Sequence, residues 1–93
     1  MKIFQSRLFL NKLKKFTPRQ RASLDSEIRK IAENPSLGAE KKGDLRGVFV
    51  HKFKMDYAFY LLAYRFTEGD LELITIGFHQ YDYRDLKSYL RIR

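Results

Sequence analysis

The sequence predicts an α+β domain of element order β-α-α-β-β-β-α, with an N-terminal helical hairpin packed on a small antiparallel sheet and a C-terminal helix. Three observations carry that reading. Two segments with helical spacing of apolar residues fill the first third of the chain, each behind its own N-cap. Three β-rich runs separated by short turns follow, between positions 48 and 76. A glycine then ends the last run, and a helix-start pattern closes the chain.

Met1 to Gln5 reads as a short strand. Ser6 is placed to cap a first helix, with Phe9, Leu10, Leu13 and Phe16 on one face and Lys12, Lys14 and Lys15 opposite. Thr17 starts a second helix. Pro18 suits its first position, and Gln20 completes a capping box with Thr17. Leu24, Ile28, Ile31 and Ala32 form its apolar stripe, and Pro35 disfavours helical geometry beyond Asn34.

A polar connection spans Ser36 to Gly47. Strands are expected over Val48–Met55, Tyr57–Phe66 and Leu71–Ile76, joined by tight connections at Met55-Asp56-Tyr57 and Thr67-Glu68-Gly69-Asp70. Along the first of these strands, parity separates Phe49, His51, Phe53 and Met55 from Val48, Val50, Lys52 and Lys54. The Phe-rich side buries more apolar area and is expected against the helices, which assigns His51 to the core. Lys52 and Lys54 then point to a face left available, about 7 Å apart, close to one nucleotide step along a backbone. A last helix is expected from Asp82 to Ile92, with Tyr83, Leu86 and Leu90 facing inward.

Composition narrows the function classes. Ninety-three residues provide one domain, 1–93, with a single modest core. There is no cysteine, which removes disulfides and thiol nucleophiles, and two histidines argue against an all-protein zinc site. No cofactor or metal is called for. No apolar run has the length of a signal core or a membrane span, so the expected location is the cytoplasm. Nineteen Lys and Arg against 11 Asp and Glu leave a charge of +8. Such a field implies a polyanionic partner: RNA, DNA, a ribosome, or an acidic protein that masks the surface.

The chemistry-bearing residues gather late in the chain. His79 follows Gly77 at the end of the last strand, just ahead of the helix start Asp82-Tyr83-Arg84-Asp85-Leu86. A ring that titrates near neutral pH, beside closely spaced cations, suits phosphodiester chemistry. The bland alternative is a histidine that caps the helix or bonds a loop carbonyl. Lys52 and Lys54 are either solvated strand residues or stabilisers of charge on a phosphorane-like transition state.

Taken together, the helical hairpin, Leu45-Arg46-Gly47, Lys52-x-Lys54, the aromatic-rich second strand, Gly77-x-His79 and the closing helix resemble the RelE/ParE superfamily of bacterial type II toxins. The resemblance covers nearly the whole chain. It implies one of two activities: the RelE branch cleaves mRNA in the ribosomal A site, and the ParE branch poisons DNA gyrase without a nuclease site. It also implies a cognate antitoxin, expected to be acidic and partly disordered and to fold on binding.

Carried over position by position, Arg46, Lys52 and Lys54 match cationic positions of RelE-type nucleases. His79 falls where RelE has a catalytic arginine and some sister toxins a histidine. Tyr83 falls where those sisters place an aromatic near the scissile step. Arg65, of the same strand parity as Leu61, and Arg84, beside Tyr83, complete the candidate substrate contacts. Two positions depart from the pattern. A middle-strand arginine of RelE aligns with Leu61, and its terminal-helix tyrosine aligns with Asp85. The favoured expectation is a metal-independent, ribosome-dependent mRNA endonuclease. The alternatives are a gyrase inhibitor and a member reduced to binding its antitoxin.

Overall fold

The computed structural model describes residues 1–41, 43 and 47–78. Within them lie β1 (Ile3–Gln5), α1 (Arg7–Leu13), α2 (Pro18–Glu33), β2 (Ala39–Glu40), β3 (Val48–Met55), β4 (Ala58–Thr67) and β5 (Asp70–Phe78). The expected Asp82–Ile92 helix lies outside the described residues.

The five strands form one sheet in the order β1-β5-β4-β3-β2. Strands β3, β4 and β5 make the expected antiparallel meander. The sheet as a whole is mixed, which corrects the all-antiparallel expectation: β1 pairs with β5 in parallel, Ile3 beside Leu71 and Gln5 beside Leu73. The reason is the path of the chain, since α1 and α2 intervene between β1 and the rest of the sheet and leave β1 free to join its far edge. The connection expected to be irregular also holds β2, which pairs with Phe49 and Val50 of β3.

Both helix starts form as their side chains dictate. Ser6 Oγ accepts from the Phe9 N–H, and Thr17 and Gln20 exchange a full capping box. The Ser6 hydroxyl also donates to the Ile74 carbonyl at 2.6 Å, fastening the start of α1 to β5. Helix α1 ends at Leu13, so Phe16 packs from the following turn and Leu10 lies exposed instead of on the inward stripe.

The main core lies between the helices and one sheet face. Phe9, Leu24 and Ile31 pack there against Phe53, Met55, Tyr60, Leu62, Tyr64, Leu71, Leu73 and Ile76. Phe49 packs partly buried at the edge of this cluster, stacked on Tyr64 at 5.5 Å. Tyr64 does more than fill space: its hydroxyl donates to the Pro35 carbonyl and accepts from the Gly38 N–H, holding the segment that leads into β2. A Cβ at Gly38 would lie 2.9 Å from both that hydroxyl and the Val50 carbonyl, so the close approach requires glycine.

Strand β5 carries a bulge. Ala63 pairs with Thr75 and Tyr64 with Leu73, leaving Ile74 between them without a partner opposite. Before the bulge, odd-numbered residues face the helices (Leu71, Leu73). After it, even-numbered ones do: Ile76, and Phe78 stacked on Tyr60 at 4.9 Å. Gly77 is thereby turned to the opposite face.

That opposite face is not simply open, a further correction. Val48, Val50, Leu61, Ala63 and Ile74 form a second buried apolar cluster there. The face is exposed, among the described residues, at the end bearing Lys52, Lys54 and Phe59, and again at the far end at Thr67. Among the described residues no helix is long and apolar enough to cross a membrane.

Candidate functional site

Strand pairing arranges the second face into rows. At one end Arg65 of β4 stands between Val48 and Glu72, and its guanidinium lies 3.3 Å from the Glu72 carboxylate. The middle rows are the apolar cluster. At the other end Lys52 stands opposite Leu61, which stands opposite Gly77, and Lys54 stands opposite Phe59. Arg65 is four residues from Leu61, about 13 Å along the strand. The structure thus brings Lys52 and Lys54 together and sets Arg65 apart, beside an acidic partner.

Both lysines are exposed. Lys52 Nζ lies over the Phe59 ring, 5.0 Å from its centroid. Leu61 is completely buried, so the middle strand presents no cation at this row. Gly77 places the end of β5 level with Lys52, two strand spacings across the sheet or roughly 9.5 Å. His79 follows two residues later. His79, Arg46, Tyr83 and Arg84 lie outside the described residues.

Two functional candidates escaped sequence reasoning. Phe59 is 54% exposed on the lysine face, and Tyr57 is 97% exposed at the β3–β4 turn. The signal for Phe59 was its parity with Leu61. It becomes decisive only once the two-residue turn Asp56-Tyr57 fixes the register of β4 on β3. Asp56 and Tyr57 both have positive φ, 53° and 66°, and Asp56 accepts a 2.8 Å hydrogen bond from Gln20 that ties the turn to α2.

His51 sits on the helix face as expected, stacked on Phe53 at 5.7 Å. It is an anchor between layers more than an apolar filler: its Nε2 lies 2.7 Å from Glu27 of α2. Burial works to raise the Glu27 carboxyl, but hydrogen bonds from His51 and Lys30 prevail and hold it below its ordinary value. On that same face, at the lysine end of the sheet, Phe16, Tyr60 and Phe78 line a cavity of about 380 Å³ whose rim carries Lys12 and Lys15. Burial, with Asp56 nearby, pushes the Tyr60 hydroxyl up and keeps it neutral. No cluster of three or more His, Asp or Glu that would suit a metal ion occurs among the described residues.

Among the described residues, two helices on a mixed five-stranded sheet with a cationic end row form a small basic α+β domain. Residues 3–87 match the family described as the ParE-like toxin of type II bacterial toxin–antitoxin systems, and the chain belongs to that family. The fold is similar to the isolated Escherichia coli RelE toxin (TM-score 0.65, 17% identity, 92% of this chain and 96% of that one). It is similar to a chain of the Mycobacterium tuberculosis RelBE2 toxin–antitoxin complex (TM-score 0.69, 17% identity, 84% and 96%). It is also similar to a chain of the intact E. coli RelBE complex (TM-score 0.65, 19% identity, 82% and 93%). No curated protein matches the chain.

Proposed function

We propose that this chain is the toxin of a type II toxin–antitoxin pair and cleaves mRNA on the ribosome, without a metal. The observation that carries the reading is the exposed pair Lys52 and Lys54 on one face, in line with the end of β5 that leads to His79. In the proposed reaction the 2′-oxygen attacks the adjacent phosphorus and the bond to the 5′-oxygen breaks. The products are a 2′,3′-cyclic phosphate and a free 5′-hydroxyl. His79 moves a proton, as acid to the leaving oxygen or base on the 2′-hydroxyl. Lys52 and Lys54 offset the negative charge that grows on the phosphoryl oxygens, and Arg46 clamps a phosphate. Tyr83 stacks on a base, with Arg84 and Arg65 as outer contacts. So few groups suffice where the ribosome holds the mRNA in line, because positioning supplies much of the rate.

The partner in the cell is an acidic antitoxin segment that folds over the cationic end row. A second reading, a gyrase inhibitor without catalysis, is favoured by one observation: Leu61, aligned with a RelE arginine, is buried and apolar beside Lys52. Primer extension on translated mRNA after brief induction separates the two. Codon-phased cuts are expected; cleaved DNA–gyrase complexes without them select the second reading, and neither outcome leaves antitoxin binding as the function.

A further inference from the structure

An exposed aromatic, Phe59, stands beside the two lysines. Phe59 lies directly across from Lys54 and diagonally from Lys52, on the exposed end of the second face, and half of its surface meets water. The buried apolar cluster of that face stops one row earlier, at Leu61. Its neighbour across the turn, Tyr57, is almost fully exposed and adopts positive φ, where a tyrosine costs the backbone free energy. Two exposed rings beside two lysines, on a chain of charge +8, suit a single-stranded polyanion with flat bases better than an acidic helix alone.

We propose that Phe59 is a base-stacking platform for single-stranded RNA, and that Lys52 is parked on its ring until a base displaces it. In the free protein the Lys52 ammonium covers the ring, 5.0 Å from its centroid. An incoming base has more flat area to offer than one exposed ammonium, and base–aromatic stacking outweighs a solvent-exposed cation–ring contact. The displaced Lys52 swings to the phosphate of the stacked nucleotide, about one nucleotide step from Lys54. Stacking and charge neutralisation are thereby coupled: the lysine is delivered to the phosphate only when a base occupies the ring. The inference rests on the mRNA-cleaving reading and names a substrate contact within it.

The test compares full-length wild type with Phe59→Ala, Phe59→Leu and Phe59→Trp, each checked by thermal melting. Leucine keeps an apolar side chain without a flat ring; tryptophan enlarges the ring. In a reconstituted translation system, kcat/KM for mRNA cleavage is expected to fall roughly 5–150-fold for alanine and leucine, the range of one base stack, and to hold for tryptophan. Leucine as active as wild type overturns the platform while leaving the nuclease reading intact. Should wild type itself not cleave, that reading falls, and an oligoribonucleotide bearing 2-aminopurine then decides the inference. Quenching that Phe59→Leu loses and Phe59→Trp keeps supports it, and equal quenching overturns it. A second readout follows Lys52 directly: its ε-methylene protons, shifted upfield by the ring, should return toward ordinary values when the oligonucleotide is added. If Phe59→Leu weakens only capture by the antitoxin, the occupant is a protein and the proposal is wrong.

Discussion

At Glu27, burial opposes the charged carboxylate, and the bonds from His51 and Lys30 more than offset it. A carboxyl whose folded value lies below its unfolded one stabilises the fold above the unfolded value, about 4.3 for glutamate. That contribution fades as pH falls through the lower, folded value. Melting from pH 6 to pH 3 should therefore show an acid limb that is shallower in Glu27→Gln. A limb of the same steepness in the variant would mean that the pair contributes nothing. His51→Ala should cost about 1–3 kcal/mol, since it strips a half-buried carboxylate of a hydrogen bond. Parity alone puts His51 on the inner face but cannot reveal its partner, Glu27, a charged residue at the edge of the stripe Leu24, Ile28, Ile31. His79 belongs to the same scale. His79→Ala is expected to relieve growth arrest and to lower cleavage 10²–10⁴-fold with the melting temperature unchanged. A variant as toxic as the parent would remove the histidine from the mechanism.

Elements were legible in proportion to how much local chemistry defined them. The two caps, the stop at Asn34 and all three meander strands follow from side chains that act within a few residues of themselves. Strand β2 left no such trace. It is two residues long and exists only through its bonds to β3. The parallel seat of β1 is a long-range choice that three residues cannot announce. Half of the candidate site was readable for a similar reason: period 2 exposes the Lys52–Lys54 pair, whereas Phe59 joins them only through a register set by the turn. That turn yields a prediction of its own. Two consecutive positive φ values in a two-residue hairpin suit Asn-Gly or Asp-Gly far better than Asp56-Tyr57. Tyr57→Gly should raise stability by about 1 kcal/mol, or some 4–8 °C in melting temperature. A lower melting temperature would show that Tyr57 carries stabilising contacts.

For the molecule as a whole, the +8 charge governs encounter more than stability. Lys52→Glu combined with Lys54→Glu should abolish toxicity and slow association with the antitoxin, most visibly at low salt, where the Debye length is longest. Stopped-flow rates across a salt series decide it; an association rate indifferent to both the reversal and the salt would place the docking surface elsewhere. Charge was readable from composition, but its distribution was not. Only the folded sheet separates the exposed lysine row from Arg65, which ends beside Glu72, and fills the space between them with buried aliphatics.

The unpaired Ile74 has a consequence for how this chain tolerates insertions and deletions. It acts as a phase shift in the numbering of the strand: residues upstream and downstream of it obey opposite parity, because the bulge absorbs one residue of length while the pairs on either side keep their faces. Replacing Ile74 by another aliphatic keeps that arrangement. Deleting it would make Leu73–Tyr64 and Thr75–Ala63 consecutive pairs, so the ladder would alternate without a bulge. Gly77 would stay on the lysine face and Phe78 on the helix face, and the loss would be one buried side chain of the second cluster. This strand carries one residue more than its pairing requires, and the bulge is where a change of length is absorbed.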